Sequence, residues 1–211
     1  MAGYDKPDFW SLKARKEGYP ARSVYKLAEI ASKFGLLPSA KGGSAQSAVS
    51  GPVVLDIGAA PGSWSQWLLR NLAGKCKVVA VDIQDMNIPA GAANFRFIKG
   101  SILDPDVRST LREAGPYALV VSDAAPSTTG NRLVDQSKSE ELVEVVMDLS
   151  LEVLAPGGAL VMKIFQGGEE KRLITELKKN FSQARGFKPE ACRSVSFETY
   201  LVATGFKGYS H

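Results

Sequence analysis

The chain has little cysteine and almost no histidine, two and one respectively in 211 residues. Cys76 and Cys192 lack the spacing of a metal site, and a single histidine cannot complete the usual zinc tetrahedron. Neither a metal nor a disulfide is expected, and two unpaired thiols fit a reducing cytoplasm. No apolar run approaches the roughly 20 residues that cross a bilayer. The residues after Met1 include Gly3, Asp5 and Lys6 rather than an apolar signal core, so no secretory leader is expected. What remains is an ordinary globular composition, 45% hydrophobic and 23% charged, long enough for one well-buried domain with extensions.

The net charge of +4 is unevenly spread. Residues 1–33 carry seven Lys/Arg against four Asp/Glu, and residues 171–211 carry eight against three. The intervening 34–170 carry eleven against fifteen. Basic ends on an acidic centre suit termini that meet a polyanion and a centre that holds a cationic cofactor.

The chain opens with two short helical patterns, near 8–17 and 22–35. Residues 39–52, rich in Ser, Gly and Ala, read as a flexible linker. Strands then alternate with helices: strands near 53–57, 77–82, 94–98, 117–122 and 158–164, helices near 63–72, 104–114, 136–154 and 169–181. Two further strands are expected at 185–189 and 197–204, including an antiparallel edge pair. The pattern predicts an α/β fold, a doubly wound, seven-stranded, mostly parallel sheet with helices on both faces. The division is a helical extension over 1–38, the linker over 39–52 and the main domain over 53–208.

The most informative segment is Val53-Val-Leu-Asp-Ile-Gly-Ala-Ala-Pro-Gly-Ser-Trp64, an apolar strand entering a tight turn. Asp56 lies near the strand's end, where a carboxylate is costly without a partner. Gly58 and Gly62 let backbone pass close to a ligand, and Ser63 is placed to cap the next helix. A second strand ends in Asp82, where an acid suits the two hydroxyls of a ribose. The dinucleotide fingerprint needs a middle glycine that admits phosphates, and Ala60 stands there. That disfavours a nicotinamide dinucleotide and favours S-adenosylmethionine, which has no phosphate.

Three more polar residues interrupt apolar strands: Asp123 at the end of 117–122, Lys163 within Leu160-Val-Met-Lys-Ile-Phe165, and Glu198 near the start of the last strand. A charge inside such a strand must snorkel, pair or lose its proton.

With Lys13–Leu27, Asp56–Gln66, Val121–Pro126, Leu154–Gly158, Lys163–Gly167 and Lys188–Ala203, the chain resembles the FtsJ-type RNA ribose 2′-O-methyltransferases, over nearly its whole length. The resemblance implies a Rossmann-like S-adenosylmethionine-dependent methyltransferase. Its catalytic tetrad falls on Lys26, Asp123, Lys163 and Glu198. Cofactor contacts fall on Asp56, Gly58, Gly62, Trp64, Asp82, Ser101 and Asp123. Ser101 stands where the family commonly has an aspartate facing the adenine amino group, with Asp104 the alternative. The 39–51 linker is also longer than the family pattern suggests.

For RNA contact the candidates are Lys13, Arg15, Lys16, Arg22, Lys188 and Arg193, with Tyr25 and Trp64 as base-stacking rings and 131–135 near the target nucleotide. The expected activity is ribose 2′-O-methylation, with closest likeness to the bacterial branch acting on a uridine of large-subunit ribosomal RNA. The protein is expected to be a cytoplasmic monomer whose partner is ribosomal RNA, within the large ribosomal subunit. Relatives acting on tRNA anticodon loops or mRNA caps share the tetrad, so it does not separate those substrates. A non-catalytic ribosome-assembly factor is disfavoured by the intact tetrad.

Overall fold

A computed structural model describes residues 8–38, 51–72, 74–86, 93–126, 129–167, 169–193 and 196–208. Residues 39–50 of the expected linker lie outside the described residues. The elements are α1 (Phe9–Lys16), α2 (Val24–Phe34), β1 (Val53–Ile57), α3 (Ser63–Leu72), β2 (Lys77–Asp82), β3 (Phe95–Lys99) and α4 (Pro105–Ala114). They continue with β4 (Tyr117–Ser122), α5 (Arg132–Val153), β5 (Leu154–Phe165), α6 (Glu170–Asn180), β6 (Phe181–Phe187) and β7 (Glu198–Phe206).

The seven strands form one sheet in the order β3-β2-β1-β4-β5-β7-β6. β7 runs antiparallel to β5 and β6, and the other pairs are parallel. From β1 the chain winds outward through β2 to β3, then returns to lay β4 on the other side of β1. That reversal is a topological switch point, where open α/β sheets bind ligands beyond the strands' carboxyl ends.

Burial on both faces follows the two-residue period of the strands. Leu55, Val79, Val120, Leu160 and Leu201 enter the core shared with Leu111 of α4, Val143, Val146 and Leu149 of α5, and Leu173 and Leu177 of α6. Their alternates Val54, Val78, Leu119, Val161 and Val202 meet Leu27 and Ile30 of α2 and Leu68 of α3. Each fully buried aliphatic side chain contributes about 1.5–3 kcal/mol. α2 is therefore part of the globule, and Ala14 of α1 packs with Val24 and Tyr25 at its start.

Three starts lie four residues before the expected ones, that of α5 at Arg132 rather than 136 and those of two strands. The strand expected at 185–189 is β6, which begins at Phe181, directly after α6. Phe181 is buried and packs on Phe206, with ring centroids 5.3 Å apart. Pro189 has no N–H to lend a ladder, so the strand closes before it. β5 begins at Leu154 rather than 158. Tyr117 pairs with Leu154 and Leu119 with Ala159, so Ala155–Gly158 bulges from the ladder, with Gly157 at φ 79°.

Candidate active site

Sheet register lines up the site. Lys163 of β5 pairs with Tyr200 of β7. Ser122 pairs with Met162 and with Ile57, and Ile57 with Val81. One residue further along each strand lie Asp123, Lys163, Gly58 and Asp82. Asp82, Gly58, Asp123, Lys163 and Tyr200 thus form one row across five strands. By strand alternation they share the sheet face covered by α2 and α3, together with Asp56 and Glu198.

On the β2 side of the row, the turn after β1 is held to its neighbours by backbone. Gly58 and Ala59 N–H groups donate to the Val81 carbonyl at 2.9 and 3.3 Å. Gly58 has φ +71°, and a Cβ there would lie 2.7 Å from Ala124 Cα and 2.9 Å from Ala124 N. Only glycine lets the turn pass beneath the loop after β4. Asp82 accepts from Ala60 N at 2.9 Å through Oδ2 and from Gln84 N at 2.8 Å through Oδ1. These bonds fix a carboxylate whose remaining lone pairs can take ligand hydroxyls.

Asp56 lies deeper. Ser65 Oγ donates to its Oδ2 at 2.6 Å, whereas Oδ1 is buried with no protein partner among the described residues. Burial pushes its carboxyl up to about 7, and the carboxylates of Asp123 and Asp82 push the same way against the Ser65 bond.

Beyond these strand ends opens a cavity of about 300 Å³, lined by Gly58, Ala60, Asp82, Ile83, Ser101, Leu103 and Asp123 among others. Ile83 and Leu103 are both 67% exposed, an apolar pair suited to a flat ring. Ser101 lines the cavity; Asp104 instead caps α4, accepting from Asp106 N.

Three expected cofactor residues lie elsewhere. Asp56 sits behind the wall and Gly62 in the turn. Trp64 is buried, donates from Nε1 to Ser23 O at 2.8 Å and tilts against Tyr200. Its indole is committed to joining α3 to the start of α2, so it is neither a cavity wall nor a base-stacking ring. Ser63 also departs from expectation. It is the first residue of α3, and its hydroxyl accepts from Ala21 N at 2.8 Å, tying α3 to the N-terminal segment.

On the β5 side, Lys163 Nζ lies 3.1 Å from Asp123 Oδ1 and donates to Asp123 O at 2.5 Å. Tyr200 donates its hydroxyl proton to the same Oδ1 at 2.8 Å. Burial, then the Asp123 charge, carry the Tyr200 phenol well above its ordinary value, so it remains a donor. Lys26 reaches from α2 to Glu198 Oε1 at 2.7 Å, in a pair whose side chains are 10% and 13% exposed. Burial pushes the Glu198 carboxyl up, but Lys26 outweighs it and leaves the group below its usual range. The Cys192 thiol bonds to Glu198 as well, and burial with that carboxylate raises it to about 12.

The four tetrad residues therefore form two ion pairs on one sheet face. Tyr200 and Ser65 were missed in the sequence, although Tyr200 stands two residues after Glu198 and so shares its face. Cys192 left no comparable signal, since nothing in its spacing links it to Glu198.

The candidate RNA residues divide. Arg15 and Lys16 are exposed on α1. Lys13 lies 4.6 Å above the Tyr25 ring and 4.0 Å from Glu17, and Lys188 donates to Ser196 O at 2.8 Å. Arg22 is not a free surface arginine, because its guanidinium binds Asp8 and the Ala191 carbonyl. Arg193 approaches Asp8 to 3.8 Å. Tyr25 is buried and donates to Glu17, which removes it as a base-stacking ring. Asn131 caps α5, and Asp135 accepts from Thr129 and Gly130, so the polar groups of 131–135 mainly build their own loop.

A switch-point cavity with an acid at the end of β2 and no phosphate-admitting glycine defines a Rossmann-like methyltransferase. Comparison with known proteins is consistent and more specific. The model for FtsJ-like methyltransferases matches residues 19–206, and the chain belongs to that family, with S-adenosylmethionine as its cofactor. Ribosomal RNA large subunit methyltransferase E of Treponema denticola is 46% identical over 206 residues, covering 97% of this chain and 98% of its own. The protein of that name from Borrelia garinii is 45% identical over 203 residues, covering 96% and 98%. A crystal structure of a ribosomal RNA methyltransferase from Plasmodium falciparum superposes with a TM-score of 0.75 at 28% identity, covering 90% of this chain and 100% of that one. Human methyltransferase-like protein 13, solved with S-adenosylhomocysteine, shares the fold at a TM-score of 0.52 and 14% identity, covering 76% and 73%.

Proposed function

We propose that the protein methylates the 2′-hydroxyl of a ribose, on a uridine of large-subunit ribosomal RNA, acting as a cytoplasmic monomer. The observation that carries this reading is the Lys163–Asp123 pair, set one strand from the glycine turn that borders the cofactor cavity. The relatives named large subunit methyltransferase E, which match almost end to end, support the choice of RNA. No described helix is long and apolar enough to cross a membrane.

The residues at the cavity fit the cofactor. The carboxylates of Asp82 and Asp123 in the cavity wall suit a sulfonium and an ammonium, and Asp56 behind them keeps an unpartnered Oδ1 among the described residues. Asp82 would take the ribose hydroxyls, Ile83 and Leu103 the purine faces, and Ser101 its amino edge. Bound there, S-adenosylmethionine supplies an electrophilic methyl group.

The chain's own residues must align the acceptor hydroxyl and remove its proton as the new O–C bond forms. Lys163 Nζ, fixed by both the side chain and the carbonyl of Asp123, orients the hydroxyl oxygen. Once Nζ has given a proton to solvent, the neutral amine has the lone pair that takes the hydroxyl proton as the O–C bond forms. Tyr200 donates to the same Asp123 Oδ1 that pairs with Lys163, a second anchor that fixes the carboxylate beside the amine. Lys26, anchored by Glu198, provides a cation on the substrate side. Positioned proton transfer of this kind contributes about 10²- to 10⁴-fold, and alignment of the reacting atoms supplies more.

The test is transfer of labelled methyl from S-adenosylmethionine to large ribosomal subunits lacking the modification, with deproteinised rRNA and tRNA alongside. Label on a large-subunit uridine ribose, lost in Lys163→Ala without loss of cofactor binding, is the expected result. Label on tRNA alone, or equal transfer by Lys163→Ala, would overturn it.

A further inference from the structure

A second cavity of about 300 Å³ lies away from the cofactor site, between α1 and the turn leading into α2. Ala14, 2% exposed, belongs to its lining. Ser11, Tyr19 and two guanidinium residues, Arg15 and Arg22, complete most of the wall. Among the described residues no carboxylate lines it. Arg22 is held by the Asp8 carboxylate and the Ala191 carbonyl, which use two of its five N–H donors and fix its plane. Arg15 is exposed and has no described side-chain partner, so one wall is preset and the other can close on a ligand. Two arginines and a hydroxyl around a small recess match a tetrahedral oxyanion.

The recess also has a fixed relation to the tetrad. Tyr25 N donates to Arg22 O and Lys26 N to Ser23 O, so the helical path runs back through Arg22. Arg22 and Lys26 are four residues apart, a rise of about 6 Å. An anion in the recess would thus lie about one helical turn from the cation paired with Glu198.

We propose that this recess is a phosphate subsite, which takes one phosphodiester of the RNA strand and sets the register of the target ribose against Lys26 and Lys163. The proposal rests on the reading of the protein as an RNA methyltransferase and adds the site that fixes the strand's position. Asp8 serves as the brace that holds Arg22 open toward the strand. It also accepts from Ser11 N at 3.0 Å as the cap of α1, so the brace and the helix carrying Arg15 share one residue.

The test is binding of a fluorescently labelled single-stranded RNA, from 50 to 200 mM salt, to the wild type, Arg15→Gln, Arg15→Lys and Lys171→Gln. Lys171→Gln, on α6, controls for the loss of one surface charge. Losing one phosphate neutralisation from a single strand lowers the slope of log K against log salt by about 0.7. The advantage of wild type over Arg15→Gln should therefore shrink about 2.6-fold over that range. Lys171→Gln should keep the wild-type slope and Arg15→Lys most of it, with cofactor affinity and melting temperature unchanged throughout. A wild-type slope in Arg15→Gln, or an equal loss in Lys171→Gln, overturns the subsite and leaves the transfer reaction standing. Failure of the wild type to methylate ribosomal RNA overturns the proposed function instead, while the slopes still decide whether the recess holds a phosphate.

Discussion

Without cofactor, the protein should lose stability as pH rises from 4 to 8, and Asp56 should account for most of the loss. Its carboxyl is fully enclosed, and burial moves it from 3.8 to about 7. Between those two values the folded state holds a proton that the unfolded chain has released. Stability is therefore fully present below the lower value and falls as pH climbs through the upper one. At 1.36 kcal/mol for each pH unit, the loss is on the order of 4 kcal/mol. The comparison is with Asp56→Asn, which keeps the shape and the Ser65 bond but cannot titrate. Any fixed cost of the new amide is the same at every pH and drops out of the difference curve. Urea or thermal melts of both proteins should diverge steadily across the window. In a chain of this length that amounts to a relative drop in midpoint on the order of 10 °C for the wild type. A difference curve flat between pH 4 and 8 would refute the reasoning, because it would mean that Asp56 ionises in the folded protein as readily as in water.

Gly58→Ala should cost more than 2 kcal/mol and abolish cofactor binding in calorimetry, because the new Cβ meets Ala124 backbone at 2.7–2.9 Å with φ positive. Glu198→Ala should destabilise by about 3–5 kcal/mol through the stranded Lys26 charge, and Lys26→Met in the same chain should recover most of it in denaturant titrations. Tyr200→Phe should cost about 1–2 kcal/mol in stability. In steady-state kinetics it should lower kcat with little change in the KM for S-adenosylmethionine, since the hydroxyl holds Asp123.

Much of the architecture was legible because its signals are local. Apolar runs closed by Gly, Pro or an acid located β1, β2 and β4 to the residue, and the positions of Asp56, Asp82 and Asp123 followed. The sequence pattern puts β6 four residues late because Ser182-Gln-Ala-Arg-Gly186 has little apolar alternation, and only burial of Phe181 against Phe206 announces the strand. The bulge at Ala155–Gly158 read as an ordinary turn for the same reason: its cause is pairing of Leu154 with Tyr117, distant in sequence. At the site, the residue types of the tetrad were legible through resemblance, but not how they pair. That Lys26 would take Glu198, and Lys163 take Asp123, depends on which strand lies beside which. Trp64 and Arg22 suit ligand roles by side-chain type, but each also takes a structural partner, Ser23 O and Ala191 O, that no motif reveals.

The row of Asp82, Gly58, Asp123, Lys163 and Tyr200 works as a ruler whose divisions are set by hydrogen bonding. Adjacent strands stand about 4.8 Å apart, so Asp82 and Lys163, three steps apart, are held about 14 Å from each other at the backbone. No point substitution within the sheet can alter that span. Donor and acceptor molecules must therefore fit a gauge of whole strand widths, with fine adjustment left to side-chain length and to the helices that bring Lys26 and Arg22 from outside it.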